Sequence, residues 1–153
     1  ASVILSRPSA EEKAAAAKAK ADAATKADQE KCHEALDPTL DALDTVDSRL
    51  DVGLNIGDYT ALVGDASVER KKVDEDVVNK IDFCKSALDS IDVALTGYSV
   101  VASTWNDCIF DDYCDPDSLD LSKAWTLSGG IVDDAHQAIE DGEPTDSGDS
   151  SDS

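Results

Sequence analysis

Between Ala66 and Asn106 apolar residues return at helical steps: Val73, Val77, Ile81, Cys84, Leu88, Ile91, Leu95, Tyr98, Ala102 and Trp105. From Cys84 onward the steps alternate four and three, the heptad rhythm of helices packed lengthwise. Such a seam has to be covered by other helices. A stripe before it supplies one cover: Cys32, Leu36, Leu40, Leu43, Val46 or Asp47, Leu50 and Leu54. A stripe after it supplies another: Leu121, Trp125, Ser128, Val132, Ala135 and Ile139. No β-branched alternating run of strand length interrupts the pattern. The expected fold is all-α, an elongated up-down-up three-helix bundle of long coiled-coil-like helices, with the 66–106 helix at its centre.

Local signals set the expected boundaries. Residues 1–8 read as a flexible lead, 9–140 as the helical bundle domain, and 141–153 as a disordered acidic tail without an apolar anchor. Ser9 with Glu12 makes a capping box at the start of the first helix. Residues 9–31 are rich in Ala and Lys, so this part of the helix has only methyl groups to pack and is expected to be lightly packed or projecting. Pro38 either kinks the first arm or restarts it with Asp37 as N-cap. Gly53, Asn55 and Gly57 mark the first turn, with Asp58 capping the next helix and Gly64-Asp65 marking a bend. Asp117 is expected to cap the last helix, from about Ser118 to Glu140, with Gly129-Gly130 lowering its propensity.

Charge narrows the partners. The net charge is −21, and it is uneven: residues 1–31 hold six basic and five acidic side chains, whereas 99–153 hold one lysine against fourteen carboxylates. That surface repels nucleic acid and anionic headgroups and favours cations or a basic protein. No stretch is long and apolar enough for membrane insertion. A homo-oligomer stays open, because the stripes could close within one chain or between two.

Four cysteines, an absence of methionine and alanine at position 1 fit an exported chain whose signal peptide has been removed. The expected location is secreted or cell-envelope, with an oxidising exterior. Three pairings are available to four cysteines. If the first arm folds back antiparallel on the second, Cys32 and Cys84 sit at one level, and Cys108 and Cys114 lie close enough to staple a loop. Cys32–Cys84 and Cys108–Cys114 is the expected pairing. With no C-x-x-C pair and only His33 and His136 available, a zinc site does not assemble.

Function is less constrained. Asp107, Asp111, Asp112 and Asp115, with Asp117 and Asp120 behind them, crowd hard oxygen ligands on one loop and are the candidates if Ca²⁺ binds. No EF-hand register fits them, and Asp117 and Asp120 are accounted for by the helix start. The expectation is no discrete metal site and no cofactor. Trp105 and Trp125 flank this loop and are expected to pack with Tyr98, Phe110 or Leu121, an exposed binding patch being the alternative. No nucleophile elbow, phosphate loop, dinucleotide fingerprint or His-Glu-x-x-His is present. His33 beside Cys32 does not form a couple, since adjacent helical residues point about 100° apart. The leading expectation is a non-enzymatic exported interaction or structural protein with an acidic surface. A Ca²⁺ module on residues 107–120 and a hydrolytic enzyme of unidentified class are the alternatives.

The phrases Leu43-Asp44-x-x-Asp47-Ser48-Arg49-Leu50-x-Val52-Gly53-Leu54-Asn55, Asp58-Tyr59-x-x-x-Val63-Gly64-Asp65 and Trp105-Asn106-Asp107-Cys108-x-x-Asp111-x-x-Cys114 carry a likeness. Over residues 32–140 the chain resembles secreted or lipid-anchored helical proteins of actinobacteria. It departs from them at Ile56, where they often carry an aromatic, and in lacking a lipid-accepting N-terminal cysteine. The resemblance implies an envelope or extracellular setting and no activity.

Overall fold

The structure is a computed structural model and describes residues 10–144. The boundary expectations for 1–8, Ser9 and 145–153 lie outside those residues. Five α-helices are present among the described residues: α1 (Ala10–Val52), α2 (Ile56–Lys71), α3 (Glu75–Asn79), α4 (Asp82–Ile109) and α5 (Ser122–Asp141). A 3-10 turn, Pro116–Ser118, lies in the last connection.

The three-helix expectation is overturned, and the reason lies inside the 66–106 stretch. That stretch is not one helix. α2 ends at Lys71, and the Asp74 carboxylate caps α3 by accepting from the backbone N–H groups of Asp76 and Val77 at 3.1 and 3.4 Å. The chain then leaves helical geometry again at Ile81, with φ −122° and ψ 110°. Val73, Val77 and Ile81 keep the apolar rhythm, but Val78 and Ile81 are buried as the plug of a turn. α2 and α4 therefore fold back on each other. Arg70 near the end of α2 holds Asp92 of α4 through Nε and Nη2, and reaches Glu75 of α3 at 3.0 Å. At the far end, the buried Tyr59 hydroxyl donates to the Tyr98 carbonyl at 2.8 Å.

The four long helices make an up-down-up-down bundle, with α3 closing one end. α4 packs on α5 and α2, and α1 packs on α2 and α5. α1 and α4 thus run parallel on a diagonal. Cys32–Cys84 spans that diagonal, with Cα atoms 5.6 Å apart, and Cys108–Cys114 closes the loop after α4. Cys32 and Cys84 meet across parallel helices, unlike the antiparallel pair from which their proximity is expected. Between the helices lie Leu36, Leu40, Leu43, Tyr59, Ile91, Tyr98 and Ile139, all fully or almost fully buried.

Local corrections follow the same logic. α1 is continuous through Pro38. Asn55, and not Asp58, caps α2: its side chain accepts from the Asp58 N–H at 2.8 Å. The reversal before it uses Gly53 at φ 108°, a conformation side-chain-bearing residues rarely adopt. Gly64 lies within α2 and marks no boundary. α5 begins at Ser122 behind Leu121, with no side-chain cap, so Asp117 does not cap it. Gly142 ends α5 in the left-handed conformation, one residue past Asp141. At Gly97, a Cβ would collide with Ser128 Oγ, so the absence of a side chain sets the approach of α4 to α5.

Residues 10–24 of α1 are exposed without exception, and the helix is first supported near Thr25 and Gln29. Gln29 Nε2 donates to the carbonyls of Ile139 and Glu140 at 2.9 and 2.8 Å, tying α1 to the end of α5. The exposed N-terminal part of α1 is an arm of fifteen residues, 10–24.

Closing a longer loop removes more entropy from the unfolded chain. The Cys32–Cys84 bond spans 52 positions and Cys108–Cys114 spans 6. Urea unfolding should show a loss of about 4 kcal/mol for Cys32→Ala/Cys84→Ala and about 2 kcal/mol for Cys108→Ala/Cys114→Ala. Gly97→Val should cost about 1–3 kcal/mol by overpacking against Ser128.

Candidate functional site

The end of the bundle where α4 stops and α5 starts gathers the chain's large aromatics. Tyr59, Trp105 and Trp125 form a triangle with ring centroids 5.7 to 6.0 Å apart, one ring from each of α2, α4 and α5. Trp105 and Trp125 are half-buried against the core, so they are mainly packing residues. Tyr59 completes the group; of the expected partners Tyr98 and Leu121 belong to the same core cluster, and Phe110 stands 79% exposed outside it. Trp125 Nε1 stands toward the Tyr59 oxygen without completing a hydrogen bond. Burial pushes the Tyr59 phenol up to about 12, slightly offset by that indole N–H. The Tyr98 phenol is raised further, first by burial and then by Asp47.

Beyond this triangle, the Cys108–Cys114 loop carries its rings outward. Phe110 is 79% exposed and Tyr113 100% exposed, with Ile109 at 41%. A six-residue closure is too short to fold these rings under the bundle. The loop is fixed from within: Asp111 N–H donates to Cys108 carbonyl at 3.2 Å, Cys114 N–H to Asp111 carbonyl at 3.1 Å. Asp111 Oδ1 also accepts from the Tyr113 N–H at 2.9 Å. The turn thus holds exposed apolar surface on a covalently closed, internally bonded frame. Sequence reasoning placed Phe110 in the core and passed over Tyr113, although their position between two bonded cysteines was a usable signal.

The Ca²⁺ candidates Asp107, Asp111, Asp112 and Asp115 line this loop and its approach, all exposed. Among the described residues no three His, Cys, Asp or Glu side chains come together as a metal-holding group. The four carboxylates are spread around the turn, and one Asp111 oxygen is engaged with the loop backbone.

Between α1 and α5, His136 Nε2 lies 3.0 Å from an Asp44 oxygen, and within α1 His33 Nδ1 lies 3.0 Å from Asp37. His136 thus links two helices, and His33 pairs one turn along its own helix. Asp47 is raised above the usual carboxylate range by burial and by Asp51, Asp133 and Asp44 around it. A groove of about 530 Å³ runs between α2 and α4, lined by Ser67, Thr96, Ser99 and Val100 with Asp92 and Asp107 toward its ends. A second, of about 490 Å³, lies between α1 and α3 around Ala35, Pro38 and Val77.

No family model matches the chain, and no curated protein and no solved structure matches it either. None of the described helices is long and apolar enough to cross a membrane. Two disulfides fit an oxidising environment.

The raised tyrosines set an alkaline limit. Their folded pKa values exceed the unfolded value near 10, so the stability they confer is fully present below pH 10 and is lost as pH climbs above it. Thermal midpoints measured from pH 8 to beyond pH 11 should hold and then fall, with buried phenolate absorbance growing in only as the bundle opens.

Proposed function

We propose that this chain is a non-enzymatic, exported helical interaction module that contacts a basic protein partner through the Cys108–Cys114 knuckle. The observation that carries this reading is the near-complete exposure of Phe110 and Tyr113 on a disulfide-closed turn. Folding gains nothing from rings left in water, whereas a partner that buries them gains about 1.5–3 kcal/mol for each. Aromatic anchors with little freedom left to lose are the usual centre of binding energy.

Asp107, Asp111, Asp112 and Asp115 rim these rings with negative charge, and the chain as a whole stands at −21. Such a rim speeds encounter with a basic surface and rejects an acidic one. The displaced ionisations at Asp47, Tyr59 and Tyr98 are traced to burial first, and these residues line neither of the two grooves described above. That supports a surface-contact role over a catalytic one. The two disulfides support an exported setting, in keeping with the resemblance to envelope proteins.

The test compares the native chain with Phe110→Ala/Tyr113→Ala, each immobilised and exposed to the native extracellular and envelope fraction. The substituted side chains touch solvent, so the melting temperature should stay within the change caused by about 0.5 kcal/mol. Basic proteins captured by the native chain should be lost from the variant and eluted early by salt. Equal capture by both would contradict the proposal.

A further inference from the structure

The two disulfides occupy opposite environments. Cys32 and Cys84 are fully buried members of the hydrophobic core, one on α1 and one on α4. A thiol reagent reaches them only when helices part, and the packing keeps their sulfurs together even when the bond is open. Cys108 and Cys114 lie outside that core cluster. Cys114 is partly exposed, and residues 109–113, 115 and 116 around it are exposed. Besides the bond, the turn is held by local hydrogen bonds, from the Asp111 and Cys114 N–H groups to backbone carbonyls and from the Tyr113 N–H to Asp111 Oδ1. Access decides which disulfides exchange with external thiols, and a pair held by a surface turn recloses less readily than one clamped in a core.

The approach to this outer bond is negative. Between Lys85 and Lys123 the chain has no basic residue, while residues 107–120 hold six aspartates. Asp107 and Asp115 adjoin the two cysteines in sequence, and both are exposed, as are Asp111, Asp112 and Asp120. Arg49 near the end of α1 and Lys123 at the start of α5 share this end of the bundle, but Asp51 and Asp58 accompany them there. An attacking thiolate is itself an anion, so further negative charge on its carrier is repelled and positive charge offsets it.

We propose that Cys108–Cys114 is a redox latch, opened by a neutral or cationic dithiol while Cys32–Cys84 stays closed, and that the surrounding aspartates slow anionic thiols. A thiolate of the dithiol attacks Cys114 Sγ. The Cys114–Cys108 bond breaks, its electron pair leaves with Cys108 Sγ, and that sulfur takes a proton from water. The second thiol of the reagent, losing its proton, then attacks the reagent sulfur of the mixed disulfide and expels Cys114, which is protonated in turn. Two electrons pass to the pair, and the dithiol ends as its own disulfide. Opening removes the covalent closure that fixes Phe110 and Tyr113, so the turn loses its preorganised shape. Only this consequence rests on the contact role proposed above.

The test incubates the native chain, without denaturant, in graded dithiothreitol, followed by iodoacetamide and peptide mapping. Label should appear on Cys108 and Cys114 at reagent concentrations about tenfold or more below those that label Cys32 and Cys84, with the far-UV circular dichroism unchanged. At equal thiolate concentration and about 10 mM salt, cysteamine should open the bond on the order of tenfold faster than glutathione, and the two should converge in about 0.5 M salt. Asp107→Asn/Asp112→Asn should narrow the low-salt gap. The proposal is overturned by labelling of all four cysteines together, by labelling of none before the bundle unfolds, or by equal low-salt rates for the two monothiols. The opened and alkylated chain should also lose the basic proteins that the native chain captures, and undiminished capture overturns the latch's control of the turn. A native chain that captures none removes the contact role alone, since the labelling still decides the latch.

Discussion

The reversal between Lys72 and Ile81 determines everything that follows it in the chain. Asp74 turns its carboxylate onto the first N–H groups of α3, and Arg70 clasps Asp92 and Glu75 across the turn. Charge-assisted bonds of this geometry are stronger than neutral ones, and they sit where two helices must part company. Once the chain reverses there, α2 and α4 share one core, and Val78 and Ile81 fill its closed end. A straight helix through the same residues would separate Tyr59 from Tyr98 by many turns.

The opposite end is held by different means. Tyr59, Trp105 and Trp125 lock three helices through ring contacts, and Tyr59 adds a buried hydrogen bond to the Tyr98 carbonyl. Cys32–Cys84 then crosses the diagonal near the closed end, where α1 and α4 have no other direct clasp of that kind. With polar pins at one end and rings at the other, a narrow bundle of Leu, Val and Ala remains ordered despite −21 of net charge. The surfaces left over are the arm, the groove beside α4 and the Cys108–Cys114 turn.

Much of this was legible in the residues. The four-three rhythm identified each helix face, and Cys32 and Cys84 fell on those faces as core positions. The heptad seam could not reveal the break at 72–81, because Val73, Val77 and Ile81 preserve the helical phase while lining a turn. Asp74, followed by Glu75 and Asp76, was the available sign: a short acid at an N-cap ahead of first-turn carboxylates. Folding one arm directly on another would bring Cys32 to Cys84, whereas the chain reaches the same proximity after one more reversal. The exposure of the loop aromatics was hidden for a related reason. Phe110 has the character of a core residue, and only the short closure from Cys108 to Cys114 shows that it cannot reach the core.

The contact surfaces depend on where α2 and α4 lie, so the reversal is the claim to test. Nuclear Overhauser contacts among aromatic side chains report it without altering the protein. Ring protons of Tyr59 should show cross-peaks to both Trp105 and Trp125, whose centroids lie 5.9 and 5.7 Å away. A continuous helix through residues 66–106 would hold Tyr59 and Trp105 roughly 60–70 Å apart at 1.5 Å per residue. Absence of the Tyr59–Trp105 cross-peak, with both rings assigned and ordered, would contradict the four-helix account.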